Sequence, residues 1–161
     1  LGDAAGADLL LRAVTDRDER FLPVEGRNAS PLHVSAALVL GELRDRRATP
    51  PITDLLLRPE TPMLHVLLLL RALQDLADPD AADAVRKLLA DRAEQADAIP
   101  MGGGTMGIAT NYRFMVELNA AEALLAMGDD PACTRLGHWA GHPMKLVRDW
   151  ARRLEARAAG R

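Results

Sequence analysis

Aromatic side chains are scarce in this chain, at 3% of its 161 residues, so its core must be assembled from aliphatic groups. Cysteine occurs once, as Cys133, which excludes an intramolecular disulfide and fits a reducing, cytoplasmic setting. Lysine occurs only as Lys87 and Lys145, so nearly all positive charge is arginine; together with abundant alanine, this points to a high-GC bacterial genome. The formal net charge is −3, and an acidic balance of this kind argues against a general nucleic-acid surface. No apolar run reaches membrane-spanning length, since the longest, Met63 to Leu70, is interrupted by His65 and closed by Arg71. No secretory leader is visible. The chain opens at Leu1 within what reads as half a repeat, so it is expected to be a fragment of a longer protein.

What is present is leucine, alanine and arginine in a repeating order. Asp8-Leu9-Leu10-Leu11-Arg12 recurs as Asp54-Leu55-Leu56-Leu57-Arg58. Residues 37–56 align with 70–89 at an offset of 33, which pairs Leu40 with Leu73, Asp45 with Asp78 and Leu55 with Leu88. A third copy follows at an offset of 51, pairing Leu73 with Leu124, Asp78 with Asp129 and Leu88 with Trp139. Each unit carries apolar residues at helical spacing, an Asp/Pro/Gly turn, and a second apolar helix. Such a pair buries one stripe only, so neighbouring pairs must stack to finish a core. The expected fold is all-α, a right-handed α-α superhelix. Its expected parts are a half repeat at 3–16, repeats at about 30–58, 62–95 and 111–141, and a terminal helix at 144–158. The linker after the half repeat runs irregularly through Pro23 and Gly26, and Ser30-Pro31 reads as an N-cap with proline at the first helical position.

The motifs carry a family resemblance. Val116 to Ala132 reads V-E-L-N-A-A-E-A-L-L-A-M-G-D-D-P-A, Ser35 to Leu43 reads S-A-A-L-V-L-G-E-L, and Val147 to Ala151 reads V-R-D-W-A. These resemble the bacterial HEAT-like repeat of the phycobilin lyases, with its V-R-x-x-A-A-x-A-L-G-x-L-G-D-P-x-A pattern. The resemblance implies a HEAT-type solenoid that works as a protein–protein interaction scaffold rather than as an enzyme. Its alternative is a chromophore-lyase-like enzyme or subunit. The middle unit departs from the pattern, with bulky Leu67 to Leu70 in place of the alanine-rich face.

Few residues invite chemistry. A Gly-rich insertion at 97–111 contains Gly102, Gly104 and Gly107 in G-x-G-x-x-G spacing, but it follows a helix rather than a strand, and no Lys-Ser/Thr accompanies it. It reads as a linker or as a binding loop presenting Met101, Met106 and the adjoining Tyr112. His138 and His142 are four apart with no acid between them, His33 and His65 occupy different repeat positions and are expected to form no cluster, and no His-Glu dipeptide exists. Neither a metal site nor a cofactor site is expected, and no catalytic residue is assigned. Cys133 should sit in the first turn of a second helix at a packing position, with Trp139 in the core and Trp150 closing the stack. The second helices of HEAT stacks line the concave face, and register places Thr53, Asp54, Leu57, Arg86, Lys87, Ala90, Gly137, His138 and Gly141 outward there. Arg58, Arg86, Lys87 and His138 are therefore the expected contacts for a protein or peptide partner, with a modest basic centre suited to an acidic segment.

Overall fold

The structure is a computed structural model that describes residues 4–20, 30–92 and 113–160. The described residues form helices α1 (Ala4–Thr15), α2 (Leu32–Glu42), α3 (Thr49–Leu57), α4 (Met63–Leu76), α5 (Ala82–Arg92), α6 (Arg113–Ala126), α7 (Leu136–Trp139) and α8 (Lys145–Ala159), with no strand among them. Helices α2, α4, α6 and α8 pack in succession as one layer, and α1, α3 and α5 run along the other, each meeting the next helix of the first layer. This is an all-α solenoid. Among the described residues, no helix is long and apolar enough to cross a membrane.

The core is aliphatic throughout. Leu40, Ile52, Leu56, Leu69, Leu70, Leu73 and Leu88 are fully buried, and the recurring stripes of α2, α4 and α6 interdigitate there. The α2–α4 approach is close enough that a Cβ on Gly41 would lie 2.8 Å from the Ala72 carbonyl oxygen. A second, smaller cluster joins Leu118, Ala121 and Leu125 of α6 to Trp139, Val147, Ala151 and Leu154. Trp139 is buried, as its repeat position predicts, and Trp150 is half-buried, its indole N–H donating to Glu122 Oε1 at 3.0 Å.

The first helix of each full repeat ends in the same way. Arg44, Ala77 and Gly128, which are equivalent across the offsets of 33 and 51, all take positive φ, at 54°, 49° and 84°. A left-handed residue reverses the chain and lets later N–H groups cap the last carbonyls: Asp45 N–H reaches Leu40 O, and Asp129 N–H reaches Leu124 O. Only the third repeat has the glycine that this geometry favours. The aspartates that follow organise the turn into the second helix. Asp45 accepts from Arg47 N–H at 3.2 Å, and Asp78 accepts from Asp80 N–H at 3.4 Å. The aspartates also tie successive units together. The Thr49 hydroxyl donates to buried Asp78 at 2.7 Å, and Arg86 of α5 donates to Asp129 in the next unit.

Three local expectations are corrected. Helix α2 begins at Leu32 rather than Pro31, and no side chain caps it. Its leading N–H groups bond instead to Arg20 O at 2.8 Å and Asp18 O at 3.0 Å, so the preceding loop does the work expected of Ser30. The second helix of the last full unit shrinks to four residues, with Gly137 inside it and Gly141 and Pro143 just beyond. Cys133 consequently lies exposed in a turn ahead of α7, and the neighbouring Thr134 is buried instead, donating to Pro131 O at 2.7 Å. The linker residues Pro23 and Gly26 lie outside the described residues.

Two substitutions of opposite sign probe this geometry. Gly41→Ala gains helix propensity but drives a methyl into backbone, so thermal unfolding should show a net loss of about 1–3 kcal/mol. Ala77→Gly relieves a left-handed alanine and should add roughly 0.5–1 kcal/mol.

Candidate functional site

Stacking brings together residues that are remote in sequence at the edge where one repeat passes to the next. A cavity of about 380 Å³ opens there, lined by Arg17, Glu19, His33, Arg58, Glu60 and His65, with Leu55 and Pro62 among its apolar contacts. The His33 and His65 rings meet edge to face at 6.4 Å between centroids. This overturns the expectation that these histidines form no cluster. Their positions are not repeat equivalents, but each lies in the first turn of its helix, and α2 and α4 are neighbours. His33 Nδ1 lies 3.0 Å from Asp18 O, which receives its proton and fixes the ring against the loop. Burial, with His33 adding to it, holds the His65 pKa below its ordinary value.

The cavity edge is built from the far side by Arg92, which the sequence reading passed over. This arginine ends α5 and is buried, and its guanidinium donates to four backbone carbonyls: Leu56 O at 3.4 Å, Arg58 O at 2.6 Å, Pro59 O at 3.1 Å and Thr61 O at 2.8 Å. It satisfies carbonyls left over at the end of α3 and fixes the turn that carries Arg58 and Glu60. Glu117 is a second buried charge, 2% exposed, that the sequence reading did not flag. Its carboxylate accepts from Arg113 at 2.8 Å, from Arg135 at 3.0 Å and from Trp139 Nε1 at 2.7 Å. Burial alone would raise its pKa, but these donors outweigh burial and hold it below the ordinary value. Arg135 also stacks over the Trp139 ring at 5.3 Å, so the group holds α6 to α7.

The expected partner contacts are exposed or half-buried where described, and their charges are matched. Arg58 pairs with Asp54 at 2.7 Å and with Glu60 at 3.3 Å. Arg86 is held by Asp83 and Asp129 over a shallow groove that also includes Asp80 and Gly128. Lys87 pairs with Asp91 at 2.8 Å. His138 is exposed beside the Trp139 ring, 4.6 Å away. The four do not converge on one cavity: Arg58 lines the inter-repeat cavity, whereas Arg86 lines the groove at the opposite, turn-bearing edge. Met101, Met106 and Tyr112, together with the Gly-rich insertion, lie outside the described residues. Among the described residues, no group of three or more His, Cys, Asp or Glu is placed to hold a metal ion. The Cys133 thiol is shifted upward by desolvation first, with Asp129 and Asp130 adding to the effect, which is the reverse of an activated nucleophile.

A model of the PBS lyase HEAT-like repeat matches residues 32–58, the α2–α3 pair that contributes His33, Leu55 and Arg58 to the cavity. The fold also matches a chain in the structure of the complex of CpcE and CpcF of phycocyanin lyase from Nostoc sp. PCC7120, with a TM-score of 0.66 and 26% identity. The chain is a HEAT-like repeat protein. The match covers 99% of this chain and 55% of the other, so the HEAT-like array seen here spans about half the length of that relative. No curated protein matches the chain by sequence. In these HEAT-like repeats, the inter-repeat cavity sits where the first helices of two successive units begin.

The histidine pair gives the array a pH dependence of known sign. His65 binds its proton less readily folded than unfolded, so its contribution is intact above about pH 6.5 and is lost as pH falls through the lower folded pKa. Arg17 and Arg58 face the same cavity and oppose protonation, while Glu19 and Glu60 favour it. Melting temperatures of the wild type should fall from neutral pH toward pH ~5 more steeply than those of His65→Gln. Parallel curves would show that the pair is indifferent to protonation.

Proposed function

We propose that the chain is a protein–protein interaction scaffold, the HEAT-like repeat region of a bacterial cytoplasmic protein. The observation that carries this reading is the match over nearly the whole chain to a protein chain solved in a two-protein complex. A rigid aliphatic stack with exposed second helices suits that task, because it holds a surface in place without spending binding energy on ordering it. The partner contacts are assigned to Arg58, Arg86, Lys87 and His138 on the second-helix side, and to Met101, Met106 and Tyr112 in and beside the Gly-rich insertion. The repeats at about 30–58, 62–95 and 111–141 are the proposed structural units, flanked by the half repeat at 3–16 and the helix at 144–158. Because Arg86 and Lys87 already have carboxylate partners, a protein ligand must offer acidic groups that exchange with Asp83, Asp129 and Asp91.

The same match favours a second reading, a chromophore-lyase-like enzyme or subunit, because the complex it comes from is a phycocyanin lyase. One experiment separates the two. The chain is used as bait in host lysate beside two folded variants, one with Arg58, Arg86, Lys87 and His138 changed to Ala and one lacking residues 100–110. The bound material is read by mass spectrometry and by visible absorbance. The scaffold reading expects a protein partner held by wild type and reduced at least about tenfold in one variant. Equal capture by all three would sink these surface assignments, and a bilin absorbance that follows the wild-type chain would move the conclusion to the lyase reading.

A further inference from the structure

Charge is unevenly distributed along this acidic chain. Helix α8 carries five basic residues (Lys145, Arg148, Arg152, Arg153 and Arg157) against two acidic ones (Asp149 and Glu155), a formal +3. With the whole chain at −3, the residues outside α8 carry −6. Lys145 is answered by Asp149, and Arg148 donates to His142 O and Pro143 O. Arg152, Arg153 and Arg157 are exposed and make no ion pair with the described residues.

Helical spacing sorts these residues. Val147, Ala151 and Leu154 are buried and face α6 and α7. Leu146, Trp150, Arg153 and Arg157 form a second stripe, roughly a quarter turn away. Leu146 is 70% exposed and Met144 beside it 49%, among the most exposed large apolar residues of the chain. One end of the stripe is thus apolar and the other cationic, and no described helix covers it. In a stacked array, the flank of a first-layer helix is where the next helix packs.

We infer that this flank of α8 docks an acidic amphipathic helix of a partner protein, with Leu146 and Trp150 taking its apolar edge and Arg153 and Arg157 its carboxylates. The stripe is one helix long, about 22 Å. An extended polyanion such as a nucleic-acid duplex or an anionic membrane would overrun it and meet the −6 of the remaining chain. A second copy is a poor complement, because none of the other described helices of eight or more residues is more negative than −1. The surface is distinct from those assigned above, so the two readings stand or fall separately.

The test uses the 161-residue chain and a fluorescent synthetic peptide designed as an amphipathic helix, with leucine along one face and glutamate along the other. Its control has glutamine for every glutamate. Binding is read by anisotropy at low and high salt, for the wild type, for Arg153→Glu/Arg157→Glu, for Leu146→Ser, and for the fourfold alanine variant at Arg58, Arg86, Lys87 and His138. Circular dichroism checks that each variant is folded. The acidic peptide should bind wild type in a salt-sensitive manner. The glutamine peptide and the charge-reversed variant should each bind at least about tenfold more weakly, Leu146→Ser should bind more weakly at all salt levels, and the fourfold variant should bind like wild type. The inference is overturned if the charge-reversed variant binds the acidic peptide as wild type does, or if the fourfold variant alone loses it. It is also overturned if phosphatidylglycerol vesicles or a DNA duplex are held more tightly than the peptide, or if light scattering shows a wild-type dimer that charge reversal dissolves.

Discussion

A helix pair made from aliphatic side chains alone cannot close its own core, and this constraint organises the whole molecule. Each unit has one apolar stripe per helix and almost no aromatic bulk to fill a gap, so burial is completed only by the neighbouring unit. The spacing between layers is then set by how near two backbones can come. Gly41 lies against Ala72 without a side chain between them, and α2 and α4 share the tightest part of the stack. The repeat of Leu40, Leu73 and Leu124, the left-handed residue that ends each first helix, and the aspartate after it all serve to return the chain in register for the next layer.

Polar groups buried by this packing are few, and each is spent on joining elements. Arg92 fixes the turn after α3 from α5, Glu117 draws Arg113, Arg135 and Trp139 into one group, and Thr49 reaches Asp78 across the repeat boundary. Such groups are expensive when unpaired, so they specify one register of the stack against its neighbours. The surface follows a different rule. Cations on the second-helix side are neutralised locally, whereas those at the end of α8 are not.

The fold was legible in the sequence because the solenoid writes its period directly. The offsets of 33 and 51 align buried leucines with buried leucines and place Trp139 in the slot of Leu88. The cavity was not legible, because it is made between positions that are not repeat equivalents. His33 and His65 are 32 apart, one short of the repeat, and only the lateral packing of α2 on α4 brings their rings together. Arg92 resembled any basic residue in a last helical turn, where water or the helix end would suffice as partner. Glu117 did carry a signal, since it stands where the repeat pattern has arginine and lies four residues from Arg113, though its bond to Trp139 depends on the third dimension. The shortened α7 was foreshadowed by Gly137, Gly141 and Pro143, whose combined cost exceeded what a four-residue apolar pattern could offset.

Helix α6 belongs to two cores. Val116, Ala120, Ala123 and Leu124 complete the large cluster, while Leu118, Ala121 and Leu125 begin the small one with α7 and α8. The C-terminal portion therefore hangs on one wall, with far fewer apolar partners than the body of the stack. Cooperativity in such an array is not uniform, and α7–α8 can detach as a foldon while α1–α6 stay assembled. Its fraying bares one face of α6 and leaves the other untouched, so the molecule has a built-in breaking point at residues 127–135.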